Sequence, residues 1–418
     1  MTSGALDILH LSATDNEGGS GRSAYRIHTG LRERGHRSRM LVGRRVTQDP
    51  DVDTVAAGRA GRRADLAADI GLRRLGLAYQ WLPSQGRSLR HPWVAQAQLY
   101  QLYNLHGGYF TMRFLSVIGR RAPLIWRLSD LWPMTGHCVY PGDCVRWMSG
   151  CGACPQRSGY VEIGIDTSAW LWRQKARIYR DCDITVVAPS SWTERMARQS
   201  PLLGGFPVVR IPNGLETRVF RPVARDQACA TLGWPVDVRR IVFVAHGLDA
   251  NPRKGGAHLM EALRRLGPRA GWELLLAGVG GQSWLHAGLP LPVRLAGYVT
   301  DDERMAAVYS AADIVVVPSA VDNLPNTVLE AMACGVPGVA FDVGGMRDAV
   351  RHRETGYLAR ADDVDDLAAG IASLIDDEAL RLALGRAALA LIRSEFTREV
   401  QAQRFEALYR EVLAERAR

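Results

Sequence analysis

The chain has 418 residues, 47% of them hydrophobic, and a formal net charge of +9. That length suggests two or three domains, each with a sizeable core. No uninterrupted apolar run approaches the roughly 18 residues of a membrane span. The opening Met1–Asp7 lacks a basic region and a long apolar stretch, so a cytoplasmic chain without a signal peptide is expected.

The charge is lopsided. Residues 1–200 hold 27 Lys and Arg against 16 Asp and Glu, and the remainder holds 25 against 27. A basic first half suits an anionic partner, such as a phospholipid surface, a lipid pyrophosphate or a nucleic acid. An arginine-favouring composition accounts for the surplus equally well, since only Lys175 and Lys254 are lysines.

Short apolar runs alternate with helical patterns, which predicts an α/β chain with parallel sheets. Strands are expected near Asp7–Ser12, Ser38–Val42, Leu102–His106, Leu124–Leu128, Ile184–Ala188 and Val208–Ile211, with a first helix over Arg22–Arg34. The pattern restarts at Arg240–Ala245 and continues through Glu273–Ala277, Arg294–Tyr298, Ile314–Val317 and Val339–Phe341, with two long helices after Asp362. The restart predicts two Rossmann-like domains joined near Pro212–Pro235, with ligands at the strand C-termini.

Six segments carry candidate chemistry. The first is Gly18-Gly19-Ser20-Gly21, between a strand and a helix. Its glycines permit close approach of a ligand to backbone, although the spacing is not a dinucleotide fingerprint and a tight turn explains it as well. The second, Asp65–Leu82, mixes Leu66, Ile70, Leu77 and Trp81 with Arg73 and Arg74, flanked by Arg59, Arg62, Arg63, Arg87 and Arg90. It reads either as a basic helix lying on the inner leaflet or as a helix packed on its own domain. The third, Trp126–Trp132, ends a strand in the polar pair Ser129-Asp130, where α/β sites collect. The histidines His106 and His137 rank below this pair, because a lone histidine is more often structural. Four cysteines follow, Cys138, Cys144, Cys151 and Cys154, within 17 residues. In a reducing compartment they suggest a structural zinc site of four thiolates, with free thiols or an oxidised pair as alternatives. Cys182, Cys229 and Cys334 read as ordinary buried residues.

The last two segments lie in the second half. Asn251-Pro252-Arg253-Lys254-Gly255 presents two cations from a loop fixed by proline and glycine. Cations so placed stabilise a leaving diphosphate as it gains charge. Asp322 to Glu330 follows a buried strand, with Asn326 and Thr327 at a helix start. Amides there can face phosphate oxygens, and Glu330, one turn in, can accept from ribose hydroxyls. A capping box from Thr327 to Glu330 is the competing reading.

Together with Ile211-Pro212-Asn213-Gly214-Leu215-Glu216, these motifs resemble the glycosyltransferases of family 4 nearly end to end. The block Trp132–Gln156 resembles a subgroup of bacterial exopolysaccharide enzymes. The resemblance implies the GT-B fold, two Rossmann-like domains facing a central cleft. It implies an acceptor domain over 1–214, with a Cys-rich loop at 130–160 and completed by a C-terminal helix at 398–418, and a donor domain over 215–397. The implied activity is retaining hexosyl transfer from a nucleoside-diphosphate sugar to a hydroxyl, without a catalytic cofactor. The implied acceptor is a lipid-linked glycan in polysaccharide biosynthesis, reached by peripheral contact with the inner membrane.

The resemblance also assigns roles. Lys254, with Arg253, stabilises phosphate, Glu330 binds ribose, and the amides of Asn326 and Thr327 cradle the diphosphate. Asp322 replaces the sugar-facing glutamate of the family. Ser129 replaces a histidine that contacts the donor sugar, which turns attention to Asp130 for a sugar or acceptor contact. The Gly19 loop is placed near donor phosphate and acceptor. Two alternatives stand beside this reading: a small-molecule glycosyltransferase of an aminoglycoside-like pathway, and a zinc-containing nucleic-acid-binding protein. The sequence has no nucleic-acid-binding motif.

Overall fold

The computed structural model describes residues 4–418. They divide into two compact units, one running to Gly214 and taking in Gln401–Arg418, the other Leu215–Val400. Each unit is built on one wholly parallel sheet.

In the first unit the strands are β1 (Asp7–Thr14), β2 (Arg37–Arg44), β3 (Val52–Thr54), β4 (Leu99–Leu102), β5 (Leu124–Arg127), β6 (Ile184–Ala188) and β7 (Val208–Arg210), in the order β3-β2-β1-β4-β5-β6-β7. In the second they are β8 (Arg239–Ala245), β9 (Trp272–Gly278), β10 (Val293–Gly297), β11 (Ile314–Val317), β12 (Gly338–Phe341) and β13 (Gly356–Ala359), in the order β10-β9-β8-β11-β12-β13. Both sheets therefore reverse direction beside their first strand, between β1 and β4 and between β8 and β11. A crevice opens at the strand C-termini at such a point, and ligands of α/β proteins bind there. The central strands are continuous apolar runs, Ile314-Val-Val-Val317 among them, because helices cover both faces of a parallel sheet.

The sequence reading places most strands correctly, with four differences in the elements. The strand expected at Leu102–His106 lies at Leu99–Leu102, and Asn104 and His106 beyond it turn to polar partners. The first helix is Gly18–Glu33, so the glycine cluster forms its first turn rather than a loop ahead of it. Gly21 is needed there, because a Cβ would stand 2.2 Å from Thr14 Oγ1. Three helices follow Asp362 rather than two: Val364–Asp376, Glu378–Glu395 and Arg398–Arg416. The Asp377 side chain caps the second by accepting from Leu380 N at 2.8 Å, and Thr397 Oγ1 accepts from Val400 N at 3.1 Å at the start of the third. These polar N-caps break what reads in sequence as one apolar pattern. The short strands β3 and β13 escape the reading altogether.

The final helix completes the first unit. Phe405, Leu408, Tyr409 and Val412 join one buried cluster with Ile8 and Leu99, and Tyr409 Oη donates to Gln101 Oε1 at 2.7 Å.

The candidate donor and acceptor sites

In the second unit, β8 and β11 each end in a loop at the switch point. The loop after β8 carries a single turn of 3-10 helix, Pro252–Lys254, and then Gly255 at φ +74°. Gly255 packs so closely on the loop after β11 that a Cβ would lie 1.7 Å from Pro318 O. Only glycine permits both the backbone sign and the approach. The two loops are then stitched together. Ala320 N donates to Arg253 O at 2.9 Å, and Arg253 Nη1 donates to Val321 O at 3.0 Å.

The stitching sets the charges. Lys254 Nζ donates to Asp322 Oδ2 at 2.5 Å, and Arg253 Nη1 lies 3.5 Å from the same oxygen. Asp322 is buried, and Asn323 N donates to its other oxygen at 3.1 Å. Burial pushes this carboxyl up, but Lys254 and Arg253 outweigh it and hold its pKa below the ordinary carboxylate value. Asp322 thus engages the two cations directly. Its carbonyl accepts from Gly345 N at 3.2 Å, which brings the loop after β12 to the same place.

The helix Asn326–Ala333 starts immediately beyond. Asn326 and Thr327 are its first two residues, and the first-turn amides of a helix lack partners within it. Pro325 is the N-cap and offers no side-chain cap, so Thr327 lies inside the helix and does not form a capping box with Glu330. Glu330 is 5% exposed, with Tyr309 Oη 3.4 Å from its Oε2. Tyr309 is a partner that sequence reasoning missed. Its position two helical turns into Asp302–Ser310 gave no local signal.

In the first unit, the C-terminal ends of β1, β4 and β5 bring a second polar group together. Ser20 Oγ, in the first helical turn, lies 2.8 Å from both Asn104 Oδ1 and Ser129 Oγ. Arg127 Nη1 donates to Ser129 at 3.1 Å, and its other nitrogen donates to Asn213. The Arg127 guanidinium is fully buried, which lowers its pKa to about 10. Gly19 occupies the same helical turn as Ser20. Asp130 is buried, and its Oδ2 lies 2.8 Å from His106 Nε2 while its Oδ1 accepts from Trp132 N at 2.9 Å. His106, ranked low from sequence, is thus the direct partner of the favoured Asp130. Arg127 and Asn213 lie in segments singled out from sequence but had no role assigned, and Asn104 had no signal beyond its strand-end position.

The helix at Gly58–Arg74 is oriented against its pattern. It buries Asp65 and Asp69, while Leu66 is 51% and Ile70 37% exposed. Asp65 accepts from Ser84 N at 2.9 Å, and Asp69 accepts from Arg73 Nε at 2.9 Å. Leu75 and Trp81 continue the exposed apolar surface, and Arg59, Arg62, Arg63 and Arg74 are exposed beside it.

Cys138, Cys144, Cys151 and Cys154 are half-buried free thiols lining one small cavity, whereas Cys182, Cys229 and Cys334 are buried in cores. Among the described residues, no three His, Cys, Asp or Glu side chains stand as a ready-made metal site. No helix among them is long and apolar enough to cross a membrane.

The two parallel sheets, each with a switch point, form the α/β architecture of the GT-B glycosyltransferases. Residues 238–377, which contain the whole Lys254–Asp322–Glu330 arrangement, match glycosyl transferases group 1. Among curated proteins, the chain is 33% identical over 220 residues to a D-inositol 3-phosphate glycosyltransferase of Thermobispora bispora, covering 48% of this chain and 49% of that one. It is 27% identical over 245 residues to the putative colanic acid biosynthesis glycosyl transferase WcaC of Escherichia coli, covering 57% and 58%. The chain therefore spans about half the length of these relatives. Anabaena Alr3699/HepE, solved with UDP, superposes with a TM-score of 0.66 at 18% identity over 97% of this chain and 100% of that one.

Proposed function

We propose that the chain transfers a sugar from a nucleoside diphosphate to a hydroxyl acceptor, with retention of configuration. One observation carries the reading: Arg253 and Lys254 are stitched to the loop that opens the Asn326–Ala333 helix, with Glu330 one turn inside it. Two cations against the single Asp322 carboxylate leave net positive charge for a diphosphate. The first-turn amides of Asn326 and Thr327 extend that anion site. Glu330 then receives the two ribose hydroxyls. UDP in the Anabaena neighbour supports a nucleotide ligand for this fold.

During transfer, the bond between the anomeric carbon and the diphosphate oxygen breaks, and the acceptor oxygen bonds to that carbon on the same face. The acceptor proton passes to the departing phosphate. Lys254 and Arg253 act most strongly at this stage, because the diphosphate gains charge as the bond breaks. Asp130, held by His106, and Ser129, held by Arg127, serve sugar or acceptor.

The acceptor we favour is a lipid-linked glycan in surface-polysaccharide synthesis. The outward apolar and arginine-bearing surface of Gly58–Trp81 supports it, since such a surface suits an anionic leaflet. The colanic acid relative points the same way. A soluble acceptor is the second reading, favoured by the inositol phosphate relative. The deciding experiment is thermal stabilisation of the purified chain by a panel of nucleotide sugars, followed by transfer assays with lipid-linked and soluble acceptors. Stabilisation by one nucleotide class, lost in Glu330→Ala, is expected. Normal transfer by a Glu330→Ala, Lys254→Ala double variant overturns the reading.

A further inference from the structure

We propose that Cys138, Cys144, Cys151 and Cys154 bind one zinc ion as thiolates, with Lys175 supporting the cluster from outside the coordination shell. The four cysteines line the same cavity from a single loop. Its volume is about 10 Å³, room for one water-sized atom, and Trp147 closes one wall. None of the four is in a disulfide.

A backbone donor faces one of the sulfurs. Gly136 N donates to Cys151 Sγ at 3.2 Å. His137 Nε2 lies 3.2 Å from Cys154 Sγ, and its Nδ1 lies 2.8 Å from Val161 O. A carbonyl only accepts, so Nδ1 carries the proton of the neutral ring, and Nε2 accepts from the Cys154 thiol of the metal-free chain. Residues 150–153 all have positive φ, including Cys151 at +59° and Ala153 at +44°. Two non-glycine residues are thus held in the left-handed region where the chain turns Cys151 and Cys154 to one side.

Lys175 supplies the missing charge. It is wholly buried, and its Nζ donates to Trp132 O at 2.6 Å and Thr135 O at 2.9 Å, both in the segment leading into the cysteines. Two carbonyls and the face of the Trp132 ring, its centroid 3.4 Å from Nζ, hold the ammonium, and a nearby anion would offset its charge further. A zinc ion with four thiolates carries two negative charges, which Lys175 halves. On binding, the four thiols release four protons to solvent, and no group is oxidised or reduced.

The side chains do not stand in a finished coordination set. Ligands of such sites are gathered by the ion itself, so binding closes the loop. A closed four-thiolate shell leaves no position for substrate, so the ion is structural. Its effect reaches Asp130, because the run from Asp130 to Cys138 is held at Trp132 and Thr135 by Lys175.

The test is the metal content of the full chain, purified without chelator, together with the absorption spectrum after exchange with Co²⁺. About one zinc per chain is expected, and cobalt should give the intense sulfur-to-metal band and visible bands of a tetrahedral thiolate site. A Cys151→Ser, Cys154→Ser variant should lose the zinc. Should that variant fail to fold, the cobalt spectrum of the unaltered chain decides. Zinc no higher than the buffer blank with no cobalt band, or full zinc retention in the folded double variant, overturns the proposal. Nucleotide stabilisation measured on the same samples is a separate readout, so a failed donor site and a failed metal site are told apart.

Discussion

Lys254 Nζ stands 2.5 Å from Asp322 Oδ2, so the lysine that serves phosphate in the proposed reaction is already held by a carboxylate of its own chain. Asp322 is then a positioning residue for the cation pair before it is anything to a sugar. Asp322→Asn keeps the shape and removes the charge. Free nucleoside diphosphate should stabilise this variant more than the parent, because two cations lose their competing anion. The ligand-free variant should melt lower, by the equivalent of about 1–3 kcal/mol, as Lys254 and Arg253 lose their partner. Transfer should fall at least about tenfold. Thermal melts with and without diphosphate, alongside initial rates, check all three. In the parent, the pair's contribution is full above the unfolded carboxylate value of 3.8 and is lost only as pH falls below it, through the lowered folded value.

Glu330 gives a narrower prediction. Replacing it by Gln retains size and burial but removes the acceptor charge that a ribose diol would meet. Diphosphate nucleosides should bind about tenfold or more weakly, a loss of about 1.4 kcal/mol, while inorganic pyrophosphate should bind as before. Calorimetry with both ligands separates a ribose contact from a general loss of the site. Tyr309→Phe, which removes the hydroxyl 3.4 Å from Glu330, should give a smaller effect in the same direction.

The outward face of Gly58–Trp81 predicts binding to vesicles containing phosphatidylglycerol but not to pure phosphatidylcholine. Arg62→Glu with Arg63→Glu should weaken it by about 1 kcal/mol or more per charge removed, with strong salt dependence. Leu66→Ser with Trp81→Ser should weaken it at high salt as well. Sedimentation with vesicles distinguishes these, and both variants should retain the parent melting temperature because the altered side chains are exposed.

A buried histidine network predicts acid sensitivity. Ser38 Oγ lies 2.8 Å from His10 Nε2 and 2.9 Å from His28 Nδ1, and His10 Nδ1 lies 3.0 Å from Tyr103 Oη. Burial lowers the His28 pKa from 6.5 to about 4, despite Asp49 3.6 Å away. The unfolded chain therefore takes up a proton first as pH falls. Stability should decline from about pH 6.5 and level off near 4, with a total cost of about 3 kcal/mol from this residue. Urea unfolding at stepped pH should show that slope, and His28→Gln should reduce it.

The fold was largely legible because its signals are local. Val315 to Val317 read as a buried strand from composition alone, and the restart at Arg240 marks the second sheet. Caps and short strands were less legible. Asp377 breaks a helix by one hydrogen bond, and Val52–Thr54 is too brief for any periodicity. At the site, Arg253, Lys254, Asp322 and Glu330 were legible as residue types. Their mutual pairing was not, since it depends on Gly255 nesting against Pro318 from 63 positions away. Tyr309 was hidden and His106 ranked low for the same reason: each gains meaning from a partner on another element. The helix at Gly58–Arg74 shows the limit of periodicity itself. Its pattern is amphipathic, but the buried stripe is the one bearing Asp65 and Asp69.

The ordering of the units along the chain has a practical reach. Leu215–Val400 is one unbroken stretch and can be excised with two cuts. The first unit cannot be obtained by stopping at Gly214, because its core borrows Phe405, Leu408, Tyr409 and Val412 from the far end. A frameshift or protease nick in the last eighteen residues is therefore damage to the N-terminal half. Ribosomal synthesis must likewise pass Val412 before Ile8 and Leu99 are covered, leaving that cluster exposed until then.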